Sequence, residues 1–273
     1  MGAPVTLVVI VGLATCLHLG VAEEPEQCDT SGISARIAAG DPAERGRWPW
    51  MVSLRHPLFT QHICGGTLVA ADWVLTAAHC VDPVRGGTTA VTNPKAWING
   101  LVLKEVTDFE EEIEVVETIP HPMFQNLDHD PFDVALLRLK TPSKVSPIVL
   151  APGDSPIVEG DCLAVMGWGR VSPRGPFASQ LQEALLDYVD QEVCDVETDP
   201  STGMDCAGRG ISATCSGDGG DPLVRVLGPG RDHQLGVSQK VNGDCGGLDK
   251  PSFFASLHNP EVRNFIFETM ENS

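Results

Sequence analysis

Cys215-Ser216-Gly217-Asp218-Gly219-Gly220-Asp221-Pro222 packs three glycines, two aspartates and a cysteine into eight residues. Glycine reaches backbone conformations that other residues resist and lets neighbouring groups approach closely. Two closely spaced backbone N–H groups in such a turn make a nest for an anion. The stretch reads as a tight, anion-receiving turn with a cysteine at one end and a proline at the other.

Outward from it, the chain from Trp48 onward breaks into short runs rich in β-branched and aromatic residues, with Gly or Pro between them. The candidate strands are 50–54, 62–69, 73–78, 96–103, 133–139, 161–167, 181–189, 222–227, 233–239 and 252–257. Their number and spacing favour an all-β barrel or sandwich. The last segment differs. Asn259 suits an N-cap, Pro260 the first helical position, and Val262, Phe265 and Ile266 recur at helical spacing, which predicts a short helix over 260–270. Pro142, Pro147, Pro152 and Pro156 interrupt 140–160, so that segment reads as a surface linker between two halves.

At 273 residues with 42% hydrophobic content, the chain can bury a full core in one large domain or two small ones. A formal charge of −19 argues against nucleic acid or an anionic membrane as partner, since both demand clustered Lys and Arg. Residues 5–21 are apolar and uncharged and lead to Gly20-Val21-Ala22 before an acidic run, so 1–22 reads as a signal peptide, although its start lacks Lys or Arg. A membrane anchor would need about 20 apolar residues and basic flanks. The expectation is a secreted, extracellular protein with no membrane contact after cleavage. Nine cysteines include Cys16 in that segment, and the remaining eight suit disulfides. No Asn-x-Ser/Thr sequon occurs, so N-glycosylation is not expected.

The opening stretch resembles, at equal length, the nucleophile loop of chymotrypsin-like (trypsin family) serine proteases, Cys-x-Gly-Asp-Ser-Gly-Gly-Pro. Further motifs of that family follow one another in its order: Cys64-Gly65-Gly66-Thr67-Leu68, then Trp73-Val74-Leu75-Thr76-Ala77-Ala78-His79-Cys80, Asp133-Val134-Ala135-Leu136-Leu137-Arg138-Leu139, Met166-Gly167-Trp168-Gly169 and Cys206-Ala207-Gly208. On its own, His79 reads as a structural histidine ending an apolar strand, and Asp133 as a solvating group at a strand edge. The resemblance implies two six-stranded antiparallel β-barrels with a short C-terminal helix. It places a propeptide at 23–36 and the protease domain at 37–273, with an N-terminal barrel over about 37–145, a linker at about 140–160, a C-terminal barrel over about 161–257 and the helix at 260–270. It makes His79 the general base and Asp133 the carboxylate that orients it, with Gly217 and Gly219 as oxyanion-hole donors. It further implies activation by a protease cutting after Arg36. The freed Ile37 ammonium would then pair with Asp218, although Ala38 and Ala39 depart from the family's Ile-Val-Gly-Gly. Without the resemblance, this region reads as an ordinary N-terminal tail.

The departures are chemical. The nucleophile position holds Gly219, which has no side chain for His79 to deprotonate, and Asp221 stands where the family keeps a second glycine. Ser216 lies three residues too early, at the family's pocket rim. In the specificity pocket the resemblance places Ala213, Gln239, Lys240 and Ser252, none of which provides a charge for a basic side chain or the family's Ser-Trp-Gly strand. It pairs Cys64 with Cys80, Cys194 with Cys206 and Cys215 with Cys245. The usual partner positions of Cys28 and Cys162, near Val149 and Arg225, are empty, which leaves those two to pair with each other or stay reactive. The carboxylates between Glu105 and Glu117 read as a solvated acidic face. Calcium, which some family members bind near here, is the alternative; otherwise no cofactor or metal is expected. The leading expectation is an inactive homologue that binds a protein or peptide partner. The competing ones are a working endopeptidase, with a preference for apolar side chains, and a calcium-dependent adhesion module.

Overall fold

Met51–Arg55 and Trp73–Thr76 are buried along their whole length. That is why neither shows the apolar–polar alternation of a half-exposed strand, and why Ser53, Arg55 and Thr76 are buried along with their apolar neighbours. The computed structural model describes residues 40–86, 90–105, 107–172, 174–187, 189, 203–208, 214–239 and 251–272. A two-residue β1 (Asp41–Pro42) leads to β2 (Met51–Arg55), β3 (His62–Ala70) and β4 (Trp73–Thr76). Then come the single turn α1 (Ala78–Val81), β5 (Lys95–Ile98), β6 (Glu111–Pro120) and β7 (Ala135–Leu139). Strands β2-β3-β4-β7-β6-β5 close into an antiparallel barrel. Met51, Leu54, Leu68, Leu75, Ile98 and Leu136 are fully buried, each contributing about 1.5–3 kcal/mol relative to exposure.

The second half holds β8 (Val149–Leu150), β9 (Leu163–Gly167), β10 (Gln182–Leu186), β11 (Met204–Ala207), β12 (Pro222–Arg225), β13 (His233–Ser238) and β14 (Ser252–Ser256). Its six main strands run β10-β9-β12-β13-β14-β11. The Gly208 N–H donates to the Asp187 carbonyl at 2.8 Å and so joins the two ends of that path. The result is the chymotrypsin-like double barrel that the motifs imply. Two additions lie outside the six-strand plan: β1 pairs with β10, and β8 runs parallel to β13. The chain ends in α2 (Pro260–Glu271), whose cap Asn259 accepts from the Glu261 N–H at 3.0 Å and whose Val262 and Ile266 are buried. Among the described residues no helix is long and apolar enough to cross a membrane.

Several sequence expectations need correction. The acidic run is largely β6, a barrel strand with Ile113 and Val115 facing inward between exposed Glu112 and Glu114. A bulge between Val115 and Glu117 breaks the alternation that would have revealed it. Glu112 pairs with Lys95 at 2.8 Å, Glu114 with Lys140 at 2.6 Å and Glu110 with Arg45 at 3.1 Å, so these carboxylates meet separate cations rather than one shared ion. Strand β11 was not expected at all. The 73–78 strand stops at Thr76, and the 96–103 strand at Ile98. The 140–160 linker is not draped on the surface throughout. Ile148 and Ala151 are buried, and their N–H groups donate to Leu68 of one barrel and Gln234 of the other.

Candidate active site

Strands β4 and β7 pair with Thr76 opposite Ala135, which brings the residues just past β4 beside those just before β7. His79 on α1 and Asp133 therefore meet, although 54 positions separate them. One Asp133 oxygen accepts the His79 backbone N–H at 2.8 Å, and the other lies 2.7 Å from Nδ1. Both residues are buried. An ionised carboxylate only accepts, so Nδ1 carries the proton and Nε2 presents a lone pair. The Cys64–Cys80 disulfide ties α1 to β3, with the Cα atoms 6.2 Å apart.

The 215–222 loop faces that lone pair. Gly217 and Gly220 take φ of +103° and +85°, which favours glycine at both. The loop is tied to both barrels: the Gly219 carbonyl accepts from Gly65 at 2.9 Å, while the Gly220 N–H donates to Ser238 at 2.8 Å. Among the described residues no acceptor meets the N–H of Gly217 or Gly219. A Cβ placed on Gly219 would lie 2.5 Å from His79 Nε2 and 2.8 Å from Cε1. The imidazole thus crowds the space that a side chain at 219 would need. Ser216 is exposed, and its carbonyl accepts from Arg170 at 2.9 Å, which offers His79 no replacement hydroxyl.

Two of the residues that the resemblance places in the specificity pocket are held by hydrogen bonds. Buried Gln239 donates through its amide to the Asp130 carbonyl and lies 3.1 Å from Met204 Sδ. Ser252 Oγ accepts from the Thr214 N–H at 2.8 Å and lies 3.2 Å from Thr214 Oγ1. Ala213 and Lys240 lie outside the described residues, as do Arg36 and Ile37. Cys162, Cys206 and Cys215 are each disulfide-bonded, so Cys162 is not the reactive thiol that one reading allowed. Cys28, Cys194 and Cys245 lie outside the described residues.

Asp218 and Asp221 are both fully buried. Asp218 accepts from Gly169 at 2.7 Å and Cys215 at 2.8 Å, and its carboxyl lies beside that of Asp221. Burial pushes the Asp218 carboxyl up to about 6. Burial, with the neighbouring Asp218 charge, pushes Asp221 well above the usual carboxylate range. Sequence reasoning missed His62. It bridges Ser53 Oγ at 2.8 Å and the Gly217 carbonyl at 3.1 Å. A carbonyl only accepts, so Nε2 is the protonated nitrogen. Burial pushes the imidazole down to about 4, and it is neutral at physiological pH. The signal available was a histidine two places before a paired cysteine in an apolar strand.

The Trypsin family model matches residues 37–266. The chain belongs to the trypsin family. It is 34% identical over 256 residues to Serine protease 56 of Mus musculus, covering 86% of this chain and 40% of that protein. It is 31% identical over 234 residues to Transmembrane protease serine 11G of Mus musculus, covering 82% and 53%. It is also 31% identical over 245 residues to the Suppressor of tumorigenicity 14 protein homolog of Bos taurus, covering 85% and 28%. The chain spans from about a quarter to about half the length of these relatives.

Proposed function

We propose that this trypsin-family chain is a catalytically inactive protease homologue, secreted by way of a signal peptide over 1–22, that uses its double barrel to bind a protein or peptide. The observation that carries this reading is Gly219 beneath the imidazole, with Nε2 2.5 Å from the point where a side chain would begin. His79 and Asp133 keep the relation of a base and its orienting carboxylate, and among the described residues no hydroxyl is bonded to the base. Loss of a triad serine costs about a millionfold in turnover and leaves binding and oxyanion stabilisation. Gln239 and Ser252 support the same reading, because both are tied up in hydrogen bonds within the chain and neither offers a charge for a basic side chain.

Cleavage after Arg36 in this reading frees a new terminus without conferring activity. The test is a fluorophosphonate probe applied to the protein before and after that cleavage. The expected result is no covalent labelling in either form, and labelling of the cleaved form would overturn the proposal. The well-formed His79–Asp133 pair favours the second reading, a weak endopeptidase. That reading requires cleaved protein to hydrolyse peptide substrates and to lose the activity with His79→Ala.

A further inference from the structure

Asp218 and Asp221 extend into a cradle that three glycines leave open. A Cβ on Gly65 would overlap Asp221 Oδ1, one on Gly167 would overlap Asp221 Oδ2 together with Asp218 Oδ1, and one on Gly169 would overlap the Asp218 carboxyl. Gly65 belongs to β3 of the first barrel and Gly167 to β9 of the second, so both carboxyls sit where the barrels meet. Asp218 is 1% exposed and Asp221 0%. Asp218 has two backbone N–H donors. Among the described residues no N–H or hydroxyl reaches either oxygen of Asp221, and the group it faces beside Gly167 is the Asp218 carboxyl. Two carboxylates in contact cannot both ionise in a dry site.

We propose that Asp218 and Asp221 form a buried acid–carboxylate pair that shares one proton at neutral pH, latching the 215–222 loop between the two barrels and releasing it as the pH rises. The Asp221 O–H donates to an Asp218 carboxylate stabilised by Gly169 and Cys215. On release that proton passes to solvent, leaving two anions that repel. In the chain uncleaved at Arg36, the titratable and charged groups on the surrounding described elements do not replace it. His62 on β3 is neutral and bonded to Ser53 and the Gly217 carbonyl. His79 on α1 is bonded to Asp133, Arg170 after β9 to the Gly175 carbonyl, and Arg225 on β12 to Asp161. Cys215 is disulfide-bonded.

The sign follows from proton uptake. The folded chain holds protons on this pair that the unfolded chain has given up above the ordinary carboxylate pKa, so this contribution to stability falls as pH rises. His62 works in the opposite direction, because burial keeps it neutral where the unfolded imidazole is charged, but only below about its ordinary pKa of 6.5. From pH 6.5 to 9 the depressed imidazoles contribute little further change. Comparison with a variant that lacks one acid reads the carboxyl pair apart from Glu183, which burial also pushes up. Thermal unfolding of the full chain, uncleaved at Arg36 so that no Ile37 ammonium is free, across that range is the experiment, paired with Asp221→Asn, whose amide donates the same bond and does not ionise. The expected result is a Tm that falls by on the order of 5 °C in the wild type and stays level in the variant. Parallel declines would overturn the proposal. An infrared pH-difference spectrum of the wild type alone should show a carboxylic-acid C=O band at pH 7 that is lost at alkaline pH. Its absence at pH 7 would overturn the latch whether or not the variant folds.

Discussion

At residue 219 the missing side chain and the displaced space are one fact seen twice. With only hydrogens on Gly219, the imidazole held by Asp133 settles close over the backbone, and a serine put back there would have to move it. Gly219→Ser should therefore lower stability by about 1–3 kcal/mol, the usual cost of overfilling a packed site, read as a drop in denaturation midpoint. The same variant should gain slow fluorophosphonate labelling that His79→Ala abolishes, since the base and its carboxylate are already in place. Hydrolysis of peptides should stay undetectable, because Gln239 and Ser252, bonded to Asp130 and Thr214, still stand where the family presents its substrate strand and pocket. Peptide turnover by the single variant would show that residue 219 alone separates this chain from an active enzyme.

Among the elements, β6 shows how charge conceals a strand. Glutamate is a poor β-former, and seven carboxylates between Glu105 and Glu117 dominate the local pattern. Inward-facing Ile113 and Val115 nevertheless give it a barrel face, and Lys95 and Lys140 neutralise its outer one. Exposed pairs of this kind contribute little, about 0–1 kcal/mol each. The element should then draw its stability from its ladder and its apolar face, not from a metal. Thermal unfolding with and without chelator should give the same Tm. A rise in Tm on adding calcium would reinstate a cation site in this region.

Across the whole molecule, buried polar contacts join the barrels. The Thr67 hydroxyl on β3 donates to Gln234 Oε1 on β13 at 2.7 Å, and the linker bonds to Leu68 and Gln234 on its two sides. Thr67→Val keeps the shape and removes the donor, leaving a buried amide oxygen unpaired. That should cost about 1–3 kcal/mol, measured by denaturant unfolding, and weaken the coupling between the halves. An unchanged midpoint would place the inter-barrel strength elsewhere, in the apolar contacts.

The sequence by itself determined the architecture and the family, because the motifs around Cys64, His79, Asp133, Trp168 and Cys215 are long and occur in order. It also placed a glycine at 219, where the family's motif has a serine, and a glycine has no side chain under any fold. Helix α2 was legible from Asn259, Pro260 and the spacing of Val262 and Ile266, all local signals. Only the tertiary structure decided what depends on approach between distant segments. Asp221 was visible as an added carboxylate, but its role came from the convergence of Gly65, Gly167 and Asp218, which span more than 150 positions. His62 acquires partners only when β2 and the 215–222 loop close around it. Burial and pairing are properties of the packed chain, and one-dimensional spacing does not encode which charges will lie together in the dry interior.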